Sequence, residues 1–180
     1  MSLVNNFQML ATYNQRINQQ LLMCSQGLSV EELTQETHSF FPNVISYFNH
    51  ILFGDLLMLR RLAANNIALL SLTNFDHIPE PKSPTDIYHQ NIADITKLRV
   101  QVDAIITQFC CNLTDAECDT FITYQTTEGE SINKKVADMM QHLFNHQTHH
   151  RGQLTCVLSQ LGVDYACMDL PVIVPEGSLN

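Results

Sequence analysis

Four of the chain's eight histidines crowd into one short stretch, HLFNHQTHHRGQ, between His142 and Gln153. On a helix, residues four apart lie on one face a single turn apart. His146 and His150 are related in this way, and His142 extends the ladder by one more turn. His149 points away from it. Two imidazoles at this spacing can chelate one ion, the geometry used by HExxH zinc sites. Gln147 stands where that pattern carries its glutamate, so a zincin-type protease is disfavoured. Taken alone, the ladder reads more readily as a solvated helix face.

A usable site needs a third imidazole from another element. His50 lies in SYFNHILFGDLLMLRR, an apolar segment where a histidine needs a reason. Buried polar groups demand partners, and placing His50 opposite the pair satisfies all three rings together. The structural alternative is a core histidine bonded to a backbone carbonyl. Three neutral imidazoles leave a coordination position open, as catalytic rather than structural metal sites do. A metal held there lowers the pKa of bound water or thiol and yields a nucleophile at neutral pH. Imidazole suits zinc, nickel, copper and iron alike. His142 and His149 stay open as contributors. Asp55, a turn and a residue beyond His50, is too far round the helix to assign to the site. Arg151 and Gln153 are candidates for orienting ligands or meeting an anionic substrate, against a plain reading as helix surface or dimer contact.

Four helical segments are needed to carry these residues. The first spans about Leu3 to Cys24, with Phe7, Leu10, Ile17 and Leu21 near helical spacing. Ser29 and Glu32 have the spacing of a capping box for a short turn. The second helix follows Pro42 and runs to about Asn65. Pro79 and Pro81 interrupt the next stretch, and Ser83-Pro84-Thr85-Asp86 reads as the start of a third helix reaching about Cys111. Alternation around Phe121 to Gln125, then Glu128-Gly129-Glu130, predicts a small hairpin. The fourth helix runs from about Lys134 to Leu161 and stops at Gly162. The tail DLPVIVPEG is expected to be extended and pinned to the body. The fold class is therefore all-α: a four-helix bundle with a β-hairpin before the last helix, in a single domain over residues 1–180.

Composition narrows the partners. Net charge is −9, and the nine basic residues are scattered, which argues against nucleic acid, since backbone binding needs clustered Lys and Arg. No apolar stretch approaches the ~20 residues of a membrane span. The first residues, MSLVNNFQMLATYNQ, lack the basic and apolar regions of a secretory leader. A cytoplasmic protein with six reduced cysteines is expected. Charged residues make up 15% of the chain, below the ~25% of an average domain, as when some surface is hidden in a dimer.

The string MMQHLFNHQTHHRGQ (Met139 to Gln153) resembles the signature helix of the DinB/YfiT-like metalloenzymes. YNQRIN (Tyr13 to Asn18) is similar to that family's first-helix motif, and NHILFGDLLMLRRL (Asn49 to Leu62) to its second helix. The hairpin and the LGVDYACMDLPVIVP tail also fit the pattern. The resemblance implies a four-helix bundle, often a homodimer, binding zinc, nickel or another divalent ion through His50, His146 and His150. It implies an enzyme that transfers a low-molecular-weight thiol to a small-molecule electrophile, or an isomerase dependent on such a thiol; the open metal position also allows a hydrolase. The alternative is a metal-binding, stress-associated protein without turnover.

Overall fold

The computed structural model describes residues 2–173. Its long helices are α1 (Leu3–Ser25), α3 (Val44–Ala64), α4 (Ile92–Asn112) and α6 (Val136–Gln160). Short helices α2 (Val30–Thr34), α5 (Asp115–Cys118) and α7 (Leu170–Ile173) punctuate the connections. The antiparallel strands β1 (Phe121–Gln125) and β2 (Ser131–Lys135) form the expected hairpin, with Thr123 opposite Asn133. Gly129 supplies the left-handed residue of its turn at φ 85°.

Local chemistry explains the boundaries. Ser2, Asn43 and Asn91 each accept a backbone N–H three residues on, from Asn5, Ser46 and Asp94, so α1, α3 and α4 start on side-chain caps. The Ser29–Glu32 pair forms a reciprocal capping box before α2. After α6 the chain turns at Gly162, φ 73°.

The long helices close a ring of contacts. α1 packs on α4 and α6, and α3 packs on the same two. The first two long helices of the sequence therefore lie diagonally rather than side by side. The long connection through α2 makes that crossing possible. Ile17 and Leu21 of α1, Leu56 and Leu59 of α3, Ile95 and Val102 of α4, and Leu154 and Leu158 of α6 meet in the core with essentially no exposure. Each such side chain contributes roughly 1.5–3 kcal/mol of burial.

Three boundaries differ from the sequence expectation. α4 starts at Ile92 rather than Pro84, because residues 84–90 are drawn across α3 by its side chains. Lys134 lies within β2 instead of opening the last helix, which starts at Val136. Leu170–Ile173 coil into one helical turn; Pro171 sits in its first turn, where its missing N–H costs nothing. The turn itself packs against α1, and the residues before it are bonded to that helix: Tyr13 donates to Met168 O at 2.8 Å and Gln20 to Cys167 O at 3.2 Å. The rest of the DLPVIVPEG segment, 174–177, lies outside the described residues.

A buried polar network crosses the core. The Asp55 carboxylate on α3 accepts from Arg99 of α4 and from the Gln147 amide of α6. Arg99 also lies 2.9 Å from Asp103 Oδ1, which accepts from Asn18 of α1 at 3.0 Å. Arg151 of α6 donates to Asn14, to Asn18 at 3.2 Å and to Gln147 at 3.3 Å. Breaking such a network by deleting one charge leaves the others buried and unpaired, at a cost of about 3–5 kcal/mol. Asp55→Ala is expected to lose stability on that scale in urea unfolding followed by far-ultraviolet circular dichroism. A loss below about 1 kcal/mol would show the network to be incidental to folding.

Candidate metal centre

The α3 and α6 helices face each other, and the three histidines meet at their contact. His50 Nε2 lies 3.0 Å from His150 Nε2 and 3.1 Å from His146 Nε2. Two of the three remaining ring nitrogens show which lone pairs are free, while His146 Nδ1 is buried without a hydrogen-bond partner among the described residues. His50 Nδ1 is 2.8 Å from Pro84 O, and His150 Nδ1 is 2.8 Å from Gln153 Oε1. Both partners are oxygens that only accept, so each Nδ1 carries the proton and each Nε2 presents a lone pair.

That arrangement tests whether a metal suits the site. Two neutral imidazoles with lone pairs facing across 3.0 Å repel unless a cation lies between them. Three nitrogens about 2.0–2.1 Å from a zinc ion at tetrahedral angles would be roughly 3.3 Å apart, close to the observed separations. The Nδ1 donations to a carbonyl and an amide oxygen are the supports that metal-bound histidines ordinarily have. The donor set fits a divalent ion.

Burial keeps the rings neutral, the form a metal requires. Desolvation pushes His146 down to about 3, with the neighbouring His150 and His50 rings adding to the shift. Burial likewise lowers His150 to about 4, against its bond to Gln153. His50, 8% exposed, is shifted down by the same cause.

Three features of α3 and its surroundings set the rings in place. Gly54 is the first: a Cβ there would lie 2.2 Å from His146 Cε1 and 2.6 Å from its Nδ1. The ring packs directly on the helix backbone. Asn49 is the second, its side chain buried and fully bonded. Its Nδ2 donates to Ile45 O at 2.8 Å and His89 O at 3.0 Å, while Oδ1 accepts from Tyr88 N at 2.7 Å and His89 N at 3.2 Å. This fastens the 84–90 segment over α3 and delivers Pro84 O to His50. Phe41 is the third, stacked on His50 with ring centroids 4.0 Å apart.

The other residues singled out in the sequence fall into separate roles. His142 and His149 are exposed; their rings neighbour His146 and His150, with centroids 6.0 and 4.7 Å apart, but neither joins the nitrogen cluster. Gln153 orients His150. Arg151 is neither helix surface nor a substrate contact, because it is buried in the core network. Asp55 lies in that network too, holding Gln147 beside the ligand pair. Sequence reasoning missed Gly54 and Asn49. A glycine within a strong helix and an asparagine in an apolar run each carried a signal, since each costs stability without a packing or bonding reason.

Beside the cluster a cavity of about 540 Å³ opens between α3, α6 and the hairpin, with His50 and His142 in its wall. No described helix is long and apolar enough to cross a membrane.

Comparison with known proteins places this geometry in context. The DinB family model matches residues 1–174. A DinB-like protein from Bacillus cereus, known from its crystal structure, superposes with a TM-score of 0.58 at 20% identity, over 87% of this chain and 91% of that one. At that identity the likeness establishes the fold. No curated protein matches.

Two substitutions probe the supports rather than the ligands. Gly54→Ala should improve helix propensity by about 1 kcal/mol yet abolish tight zinc binding, because the His146 ring has to leave. Gln153→Leu should weaken zinc affinity by roughly tenfold to a hundredfold. Competition titration against a zinc chelator reads both; wild-type affinity in Gly54→Ala would refute the close packing of His146.

Proposed function

The chain belongs to the DinB family, and from that premise we propose a divalent-metal-dependent enzyme whose ligands are His50, His146 and His150. One observation carries the reading: the His50 and His150 lone pairs face each other at 3.0 Å, each fixed by an oxygen behind its ring. Zinc or nickel is the proposed ion, held by three neutral nitrogens with a position left for a reactant.

When bound, the ion supplies Lewis acidity that favours the deprotonated form of a coordinated thiol or water. The chain's residues do the rest. Pro84 O and Gln153 hold two rings in the ligating tautomer, Phe41 covers His50, and the adjoining cavity receives the second reactant. Among the described residues, no carboxylate joins the three nitrogens in the cluster. A thiol, with a pKa of about 8.5 against 15.7 for water, needs the least help from a base. That favours transfer of a low-molecular-weight thiol to an electrophile over hydrolysis. The same lack of a base favours, as a second reading, a protein that holds metal without turnover. A cytoplasmic homodimer that binds no nucleic acid completes the proposal, the −9 charge supporting its last part.

Elemental analysis of freshly purified, untagged protein, beside His50→Ala and His146→Ala, tests the site. About one divalent ion per chain is expected in the wild type, and essentially none in either variant, with helical content retained. Metal-free wild type after reloading with zinc and nickel would make the histidines structural and end the enzyme reading. Metal-loaded protein inert to thiol-plus-electrophile pairs and to ester panels would select the binding reading.

A further inference from the structure

The cavity beside the histidines has a direction. His50, Phe53, Leu57 and Arg61 line it from α3, at the three- and four-residue spacings of a single helix stripe. Eleven residues separate His50 from Arg61, a rise of about 16 Å at 1.5 Å per residue. The cavity therefore runs from the nitrogen cluster to the hairpin, where Tyr124 and Lys134 close its far end. Between the ends its wall is apolar, formed by Phe53, Leu57, Met139 and Ile132.

Two cations stand in the wall of this cavity in an acidic protein. Arg61 and Lys134 both line the cavity, and neither has a carboxylate within ion-pair distance among the described residues. Arg61 is held in place: it donates to Gln125 O at 3.0 Å and lies over the Tyr124 ring, 4.3 Å from its centroid. A guanidinium fixed this way keeps a fork of donors for a planar anion. Asp138 is in the same wall, and the charge of Glu128 on the hairpin turn reaches Arg61, so two carboxylates lie near the two cations without pairing with either.

We propose that this cavity binds an amphipathic carboxylate, its apolar body along the α3 stripe and its carboxylate at Arg61 and Lys134, with the opposite end directed to His50. This deepens the proposed function by naming the class of the second reactant. It rests on that reading only for the chemistry, since occupancy of the cavity requires no metal.

Decanoate is a suitable probe, with decylamine and 1-decanol as controls of matched apolar length. Calorimetric titration of metal-free protein is expected to show decanoate binding at least about tenfold tighter than decylamine. Arg61→Met and Lys134→Met should each weaken decanoate by about tenfold while leaving decanol unchanged, and Asp138→Asn should tighten it. Lys134 is exposed, so its substitution does not threaten folding. His146→Ala should bind decanoate as the wild type does, which separates failure of the metal reading from failure of this one. No decanoate binding to the wild type, or equal binding by the Arg61→Met/Lys134→Met double variant, would overturn the proposal.

Discussion

Asp55 stands at the middle of the fold with no exposure to solvent, and its carboxylate is gripped from two other helices at once. Around it the charges balance: Asp55 and Asp103 against Arg99 and Arg151. Asn14 and Asn18 extend the bonding to α1. The four long helices are thereby tied by directional bonds as well as by apolar burial. Burial pushes the Asp55 carboxyl up to about 6 even beside Arg99, so desolvation is substantial and the network adds less net stability than its bonds suggest. What it supplies is register. An apolar helix face tolerates rotation and sliding, whereas Gln147 and Arg151 reach their partners in one setting of α6.

That setting also fixes the histidines. His146 and Gln147 are adjacent, as are His150 and Arg151, so two i, i+4 pairs run up α6 about 100° apart. One pair is held in the core network while the other faces His50. Turning α6 to improve one would spoil the other. The site therefore inherits its precision from the core, and the helix dedicates two neighbouring stripes to two jobs. Gly54 completes the coupling from α3, one residue before Asp55: the backbone that carries the carboxylate is also the surface on which the His146 ring rests.

The histidine cluster was legible because its signals are types and spacings, which a helix converts into faces. Likewise the hairpin, the Ser29–Glu32 cap and the stop at Gly162 follow from residues whose local chemistry dominates. The misplaced start of α4 shows the limit. Pro84-Thr85-Asp86 has the grammar of a first turn, but Asn49, distant in sequence, takes the backbone groups of Tyr88 and His89 for its own bonds. The diagonal placement of α1 and α3 was hidden for a similar reason, because periodicity reports which face is buried and not which helix covers it. Arg151, a candidate for orienting ligands or meeting an anionic substrate against helix surface or dimer contact, turns inward instead; beyond Gln147 its partners are Asn14 and Asn18 of α1, and no short-range pattern announces those.

The electrostatics of the site follow from what the core has already used. Three neutral imidazoles contribute no charge, so a divalent ion held by them would keep both of its own. Asp55 stands outside the nitrogen cluster, its Oδ2 taken by Arg99 and Gln147. A centre of that kind favours an anionic fourth ligand, a thiolate or hydroxide, over a neutral one. Burial keeps the His146 and His150 rings unprotonated, the form in which their nitrogens could hold an ion. With Arg61 and Lys134 at the far end of the adjoining cavity, the cleft would attract negative charge at both ends across an apolar middle.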